Sequence, residues 1–315
     1  MSKKLDISII IPIFNEKESL VELTKKIELV MKKHKYNYEV YYIDDGSKDK
    51  SWELIKTISK KNKNIKGVQF TRNYGKSAAL NTAFKLVKGN VVITLDGDLQ
   101  DDPNEIPGLY KMIIKEDYDL VSGWKKDRYD NVLTKNIPSK IFNWATQKLS
   151  KIKLHDFNCG IKAYKLNVIK SIELYSDMHR YIPVIVKWAG FEKIGEKVVL
   201  HHKRKFGVSK YGINRFWNGI IDLILIMFIG KFGKRPIHFF GMVGLFFIFV
   251  GTLILAELVI EKLFFHGYQM TQRPIFHVST LTIIVGIQFF MTGFVAELLL
   301  RNSSERNKYE IREKI

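Results

Sequence analysis

Short apolar runs alternate with amphipathic stretches through the first third of the chain. Ile7 to Ile11 is followed by Leu20, Leu23, Ile27 and Val30 at spacings of three and four. A run around Val40 to Ile43 is followed by Trp52, Leu54, Ile55 and Ile58, and a third run, Ile65 to Phe70, by a small-residue stretch from Ser77 to Lys88. Val91 to Leu95 then opens a fourth repeat. Continuous apolar runs of this length read as strands buried on both faces, and the three-four spacing reads as helices burying one face. Strand and helix alternating four times predict an open, doubly wound α/β sheet. Asp119 to Gly123 reads as a further strand.

Beyond residue 212 the pattern changes. Gly241 to Ile260 carries one charge, Glu257, and Val278 to Leu300 carries one, Glu297. Each stretch is long enough to cross a bilayer. The alternative, a helical hairpin buried inside a soluble protein, is the weaker reading of two such apolar stretches. Lys231, Lys234 and Arg235 precede the pair and Arg301, Arg306 and Lys308 follow it, whereas the connection from Glu261 to His277 carries only Lys262 and Arg273. That asymmetry predicts both termini in the cytoplasm and a short loop outside. Ile213 to Ile229, apolar but holding Arg215 and Asp222, reads as an interfacial helix. The N-terminus, Met1-Ser2-Lys3-Lys4, lacks the apolar core of a signal peptide.

A formal charge of +19, from 51 Lys and Arg against 32 Asp and Glu, calls for an anionic partner. Cys159 is the only cysteine, which excludes a disulfide framework and a cysteine-based zinc site and suits a small buried residue. Nucleic acid would suit the charge, but no fold that binds it is visible.

Polar clusters follow the predicted strands: Asn15 and Glu16, Asp44 and Asp45, Arg72, then Asp96-Gly97-Asp98-Leu99-Gln100-Asp101-Asp102-Pro103. In an open α/β sheet these meet at the carboxyl edge of the strands, where ligands bind. Two carboxylates flanking Gly97 can turn toward one hard cation such as Mg²⁺ or Mn²⁺. The plainer alternative is a solvated turn with Asp101 or Asp102 capping a helix opened by Pro103. Neither Gly-x-Gly-x-x-Gly nor a P-loop sequence is present, so a nucleotide held by carboxylates and a metal is the better fit.

These residues carry a resemblance. Pro12-x-Phe14-Asn15-Glu16, Asp44-Asp45-Gly46-Ser47, Arg72-Asn73-x-Gly75-Lys76 and Asp96-x-Asp98-Leu99-Gln100, in this order, resemble family-two glycosyltransferases of the GT-A fold. The branch is the polyprenyl-phosphate one that includes dolichol-phosphate mannose synthase, and the resemblance covers most of residues 7 to 212. It implies that Pro12, Phe14, Glu16 and Asp44 hold the nucleoside, with Asp45, Arg72 and Gly97 beside them, and that Asp96, Asp98 and Gln100 hold the metal and sugar diphosphate. The pattern Arg-x-x-Gly-x-Ser-Lys matches Arg204, Gly207, Ser209 and Lys210, implying contacts from Arg204, Ser209 and Lys210 to phosphate. Lys125 stands where related enzymes commonly have an arginine, keeping the charge but losing bidentate geometry. Arg128 joins the candidates for the lipid phosphate.

Asp156 occupies the turn that carries the candidate base of the wider fold. A lipid phosphate is already largely ionised near neutral pH, so Asp156 could equally orient the loop. His155 and His179 read as structural, lacking metal-ligand spacing. From Lys125 to Lys153 eight Lys or Arg accompany Ile137, Ile141, Ala145 and Leu149 at helical spacing, either a solvated basic face or one resting on anionic membrane.

The expected architecture is a GT-A domain over 1–212, interfacial helices over 213–235, a transmembrane hairpin over 236–300 (spans near 239–260 and 278–300) and a tail over 301–315. The expected activity is metal-dependent, inverting transfer of one sugar from a UDP- or GDP-linked donor to a polyprenyl phosphate such as undecaprenyl phosphate, in the cell membrane. A homo-oligomer packed through the spans fits this scheme. Rival readings are transfer to diacylglycerol, a processive polysaccharide synthase (whose Gln-x-x-Arg-Trp is absent) and a catalytically silent membrane scaffold.

Overall fold

The computed structural model describes residues 5–126, 143–144, 146–148, 150–206, 225, 227–233, 235–265 and 269–301. The chain divides into two compact units, Met1–Ile224 and Leu225–Ile315.

The first unit is a seven-stranded sheet in the order β3-β2-β1-β4-β6-β5-β7. Its strands are β1 (Ile7–Ile13), β2 (Tyr38–Asp44), β3 (Ile65–Gln69), β4 (Val91–Thr94), β5 (Leu120–Trp124), β6 (Lys162–Lys165) and β7 (Ile194–Val198). The first four are mutually parallel, as the βα alternation predicts. Between β4 and β5 lies β6, antiparallel to both, and β5 pairs parallel with β7. The sheet is therefore mixed. Two antiparallel steps restore the direction, so β5 and β7 end at the same edge as β1 to β4, and β6 begins there.

Helices α1 (Lys17–His34), α2 (Ser51–Lys61), α3 (Lys76–Leu86), α4 (Ile106–Lys115), α5 (Leu166–Lys170) and α6 (Ile182–Trp188) accompany the sheet. The α1 stripe Leu20, Leu23, Ile27 and Val30 is buried against Ile7, Ile9, Ile11 and Ile13 of β1 in one apolar core. Polar cross-links fix the strand-end loops to one another. Ser47 Oγ accepts from the Asn15 N–H (2.9 Å), Ser51 Oγ accepts from the Glu16 N–H (3.0 Å), and Asn15 Oδ1 accepts from the Lys48 N–H (2.8 Å). Asn15 holds a left-handed φ of 53°, which asparagine tolerates better than most residues.

The second unit holds α7 (Pro236–Phe265) and α8 (Pro274–Arg301), an antiparallel hairpin extending past both predicted spans. Both helices are long and apolar enough to cross a membrane. Phe246, Phe249, Leu253, Leu281 and Leu299 are all more than half exposed, the opposite of a soluble core helix. The two helices meet through glycines spaced seven apart, Gly244 and Gly251 on α7 and Gly286 and Gly293 on α8. A Cβ on Gly286 would lie 2.7 Å from the Gly244 carbonyl, and one on Gly251 would lie 2.9 Å from the Ser279 carbonyl. Small residues at such crossings let backbones approach where lipid offers no hydrophobic drive to association. The predicted interfacial segment and tail fall largely outside the described residues, as does most of the basic helical stretch before Lys153.

Gly286→Val is expected to destabilise the hairpin by about 1–3 kcal/mol, the usual cost of overpacking. Reversible unfolding of the full chain in mixed detergent micelles measures it, and unchanged stability would contradict this packing.

Candidate donor site at the carboxyl edge of the sheet

Strand β4 ends at Thr94, and the chain turns through Leu95 to Asp102 across the carboxyl edge. Gly97 packs closely here: a Cβ would lie 2.5 Å from Ile13 Cδ1 and 3.3 Å from the Pro12 carbonyl, and the Gly97 carbonyl accepts from the buried Ser19 hydroxyl (2.6 Å). Leu99 takes a left-handed φ of 62°, and Asp98 Oδ1 accepts from the Gln100 N–H across it (3.1 Å). A leucine in that region costs roughly 1–2 kcal/mol. The chain after β7 fastens the turn from outside. His202 N–H donates to the Gln100 carbonyl (2.9 Å), and Asp101 and His201 form an isolated antiparallel bridge.

Three carboxylates of the turn each meet a cation from elsewhere. Lys76, on the first turn of α3, pairs with Asp96. Arg204 pairs with Asp98 at 2.6 Å and lies 3.8 Å from Glu16. Lys125, just past β5, pairs with the buried Asp101 at 2.8 Å. Burial opposes the charge on Asp96, but the Lys76, Lys125 and Lys162 ammonium groups overcome it and hold the carboxyl well below the usual carboxylate range. Asp98 goes the other way. Burial raises it, the Asp96 and Asp101 carboxylates raise it further, and Arg204 offsets only part. Lys125 is held above its ordinary value, because the Asp101 and Asp96 charges outweigh its burial.

Gly160, on the turn before β6, lies against this cluster. A Cβ there would collide with the Asp96 carboxylate and lie 2.8 Å from Asp101 Oδ2. Lys162, buried in β6, donates to the Cys159 carbonyl, and burial lowers its pKa. Cys159 is buried as its type suggests, and burial pushes its thiol up to about 12.

The structure thus brings together Glu16, Asp96, Asp98, Lys125 and Arg204, with Gly97 beneath them. Gln100 directs its amide nitrogen toward His201 Nε2 and the His202 carbonyl, at 3.4 Å each. Asp44 is fully buried, its two oxygens taken by the Ser47 N–H (3.1 Å) and the Gln69 amide (3.1 Å). Asp45 spends both oxygens on the N–H groups of Tyr74 (2.7 Å) and Gly75 (2.9 Å). Pro12 and Phe14 lie half-buried at the end of β1, and Arg72 is exposed with its guanidinium 4.8 Å over the Tyr74 ring. Asp156 is buried, and its Oδ1 accepts from the Asn158 N–H (3.0 Å). Arg128, Ser209 and Lys210 lie outside the described residues.

Sequence reasoning missed three members. Lys76 stood in a matched motif without a role, Gly160 carried no local signal, and Asp101 entered only as one of two possible helix caps in the plainer alternative. The cap is Asp102, whose carboxylate accepts from the Asn104 N–H (2.9 Å). A cleft of about 880 Å³ between α1 and α2, lined by Thr24, Glu28, Met31, Tyr36, Leu54 and Ile58, carries no comparable cluster.

Among the described residues no three His, Cys, Asp or Glu side chains converge as a metal cage. The donor set still fits a hard divalent ion, which needs few protein carboxylates when waters and substrate phosphates complete its shell. Asp98 lies two residues from Asp96 on the same turn, and burial together with the Asp96 and Asp101 carboxylates disfavours its charged form.

A family model, "Glycosyl transferase family 2", matches residues 8–172. The chain belongs to glycosyl transferase family 2. Its relatives extend the likeness across the apolar hairpin. Dodecaprenyl-phosphate galacturonate synthase of Rhizobium johnstonii is 35% identical over 303 residues, covering 95% of this chain and 89% of that protein. Undecaprenyl-phosphate 4-deoxy-4-formamido-L-arabinose transferase of Pseudomonas fluorescens is 31% identical over 301 residues, covering 95% and 86%. Among solved structures, glucosyl-3-phosphoglycerate synthase of Mycobacterium tuberculosis, in complex with Mn²⁺, uridine diphosphate and phosphoglyceric acid, aligns over 72% of this chain and 78% of that one. Its TM-score is 0.54 at 15% identity, a likeness of fold. This family-2 chain is a glycosyltransferase with the GT-A fold, related to polyprenyl-phosphate glycosyltransferases.

Gly160→Ala is expected to displace the Asp96 carboxylate and lower transferase activity about a hundredfold, the cost of a misplacement near 1 Å. Cooperative melting of the variant checks that it folds. A folded variant with unchanged activity would contradict the site.

Proposed function

We propose that this glycosyltransferase moves one sugar from a UDP- or GDP-linked donor to a polyprenyl phosphate, with inversion at the anomeric carbon. The observation that carries the reading is similarity over 95% of this chain, hairpin included, to two relatives named for polyprenyl-phosphate products or acceptors. The cation-rich acid cluster supports it, because both substrates are phosphates and need compensating charge. Glu16, Asp44 and the end of β1 frame the nucleoside side. Asp96 and Asp98, with Gln100 beside them, would hold Mg²⁺ or Mn²⁺, which when bound neutralises charge on the diphosphate.

Arg204 would exchange its Asp98 partner for phosphate oxygens, where its planar fork gives bidentate contact. Lys125, held by Asp101, keeps a fixed positive charge at the base of the site. The attacking oxygen on a lipid phosphate is already ionised near pH 7, its second pKa being about 6, so no strong base is demanded of the protein. Asp156 then orients its turn through the Asn158 N–H. The two apolar helices anchor the chain where a polyprenyl phosphate resides, and the Lys and Arg flanking them favour cytoplasmic termini.

Membranes carrying the protein are given undecaprenyl phosphate or diacylglycerol, a divalent metal and a panel of nucleotide sugars, with lipids read by mass spectrometry. The expected product is a single sugar on the lipid phosphate, reduced at least about a hundredfold in Asp98→Asn, as for loss of a preorganised charge in other enzymes. Sugar on diacylglycerol alone would overturn the acceptor assignment.

A further inference from the structure

His179 is buried in the short 3₁₀ turn Met178–Tyr181, which packs on α3, and it is 102 positions from its partner Ser77. Ser77 is equally buried. Its Oγ accepts from the His179 backbone N–H (2.9 Å) and lies 3.0 Å from His179 Nδ1. A hydroxyl has two acceptor lone pairs and one proton to give, so the Ser77–Nδ1 hydrogen bond forms with either ring tautomer. A neutral ring is favoured by its surroundings. Burial lowers the His179 pKa well below the ordinary range, and the Lys76, Arg180 and Lys162 charges lower it further.

Ser77 directly follows Lys76. On the other side Gly75 turns with φ 94° and gives its N–H to Asp45, as does Tyr74. The first turn of α3 is therefore tied at two points, to β2 through Asp45 and to the 3₁₀ turn through His179. Lys76 stands between the ties and pairs with Asp96. A lysine ammonium on a four-carbon stem is a mobile point charge, so its aim depends on a fixed backbone origin.

We infer that His179 is a positioning residue for sugar transfer, acting through Ser77 to hold Lys76 against Asp96. The inference rests on the donor-site reading of the acid cluster. Lys76 keeps Asp96 oriented, and His179 touches no substrate. A histidine serving only as core filling would depend on its bulk and would be indifferent to Lys76.

Two amides separate these roles. Asn places an amide atom where Nδ1 stands and can accept from or donate to Ser77, whereas Gln places its amide near Nε2. In the full-length protein, His179→Gln and Ser77→Ala are expected to lower kcat/KM for the donor about tenfold, with His179→Asn within about threefold of wild type, the scale of one buried hydrogen bond. In a Lys76→Met background His179→Gln should cost less than about twofold, since coupled residues are not additive. Equal losses for Asn and Gln, or an undiminished loss in the Lys76→Met background, would overturn the inference. Calorimetric binding of uridine or guanosine diphosphate with Mn²⁺ is read on the same variants and needs no acceptor. If wild type binds the nucleotide but transfers nothing to polyprenyl phosphate, the acceptor reading fails while the binding series still decides the role of His179. Ser77→Ala reads the same bond from its other end should a His179 variant fail to fold.

Discussion

Asp96, Asp98 and Asp101, three carboxylates within six residues of one turn, repel one another, and the organisation of the catalytic unit follows from how that repulsion is balanced. Asp96, Asp98 and Asp101 draw their counter-charges from the start of α3, the end of β5 and the chain beyond β7. Each cation is far away in sequence and near only because the sheet brings its strand ends to one edge. The balance is uneven. At Asp96 the lysine ammonium groups outweigh burial, whereas at Asp98 burial and the neighbouring carboxylates outweigh Arg204. The charges that would receive phosphate are already in place as partners of the acids, which preorganises the site before donor arrives.

The inserted strand β6 explains how the cluster tolerates burial. Running antiparallel between β4 and β5, it starts at the carboxyl edge and delivers Gly160 and Lys162 beneath the acids. Gly160 gives the Asp96 carboxylate room that any other residue would fill. Lys162 brings a buried ammonium whose charge acts on Asp96.

Much of this was legible in the sequence, for identifiable reasons. The first four strands and their helices are local patterns, and burial on both faces made β1, β2 and β4 continuous apolar runs. The hairpin was legible from composition, although its helices run on to Phe265 and start back at Pro274 because helix hydrogen bonding continues through Glu261-Lys262 and Pro274-Ile275-Phe276-His277 without regard to the apolar boundary. Strand β6, Lys-Ala-Tyr-Lys, hid because four residues ending in lysines look like a surface turn, and only its neighbours bury Lys162. Asp101 hid behind Pro103, which made both adjacent acids look like caps. The Lys76 role hid because its partner lies twenty residues on, a contact set by the α3–β4 geometry and not by any local spacing.

The account stands on the acid cluster being the site where nucleotide and metal meet. Electron paramagnetic resonance of Mn²⁺ titrated into the full-length protein in detergent, with and without uridine or guanosine diphosphate, tests that most directly. The account predicts one ion whose binding tightens when the nucleotide is present and is lost in the Asp96→Asn/Asp98→Asn double variant. Nucleotide-linked Mn²⁺ binding that survives the double variant would contradict it.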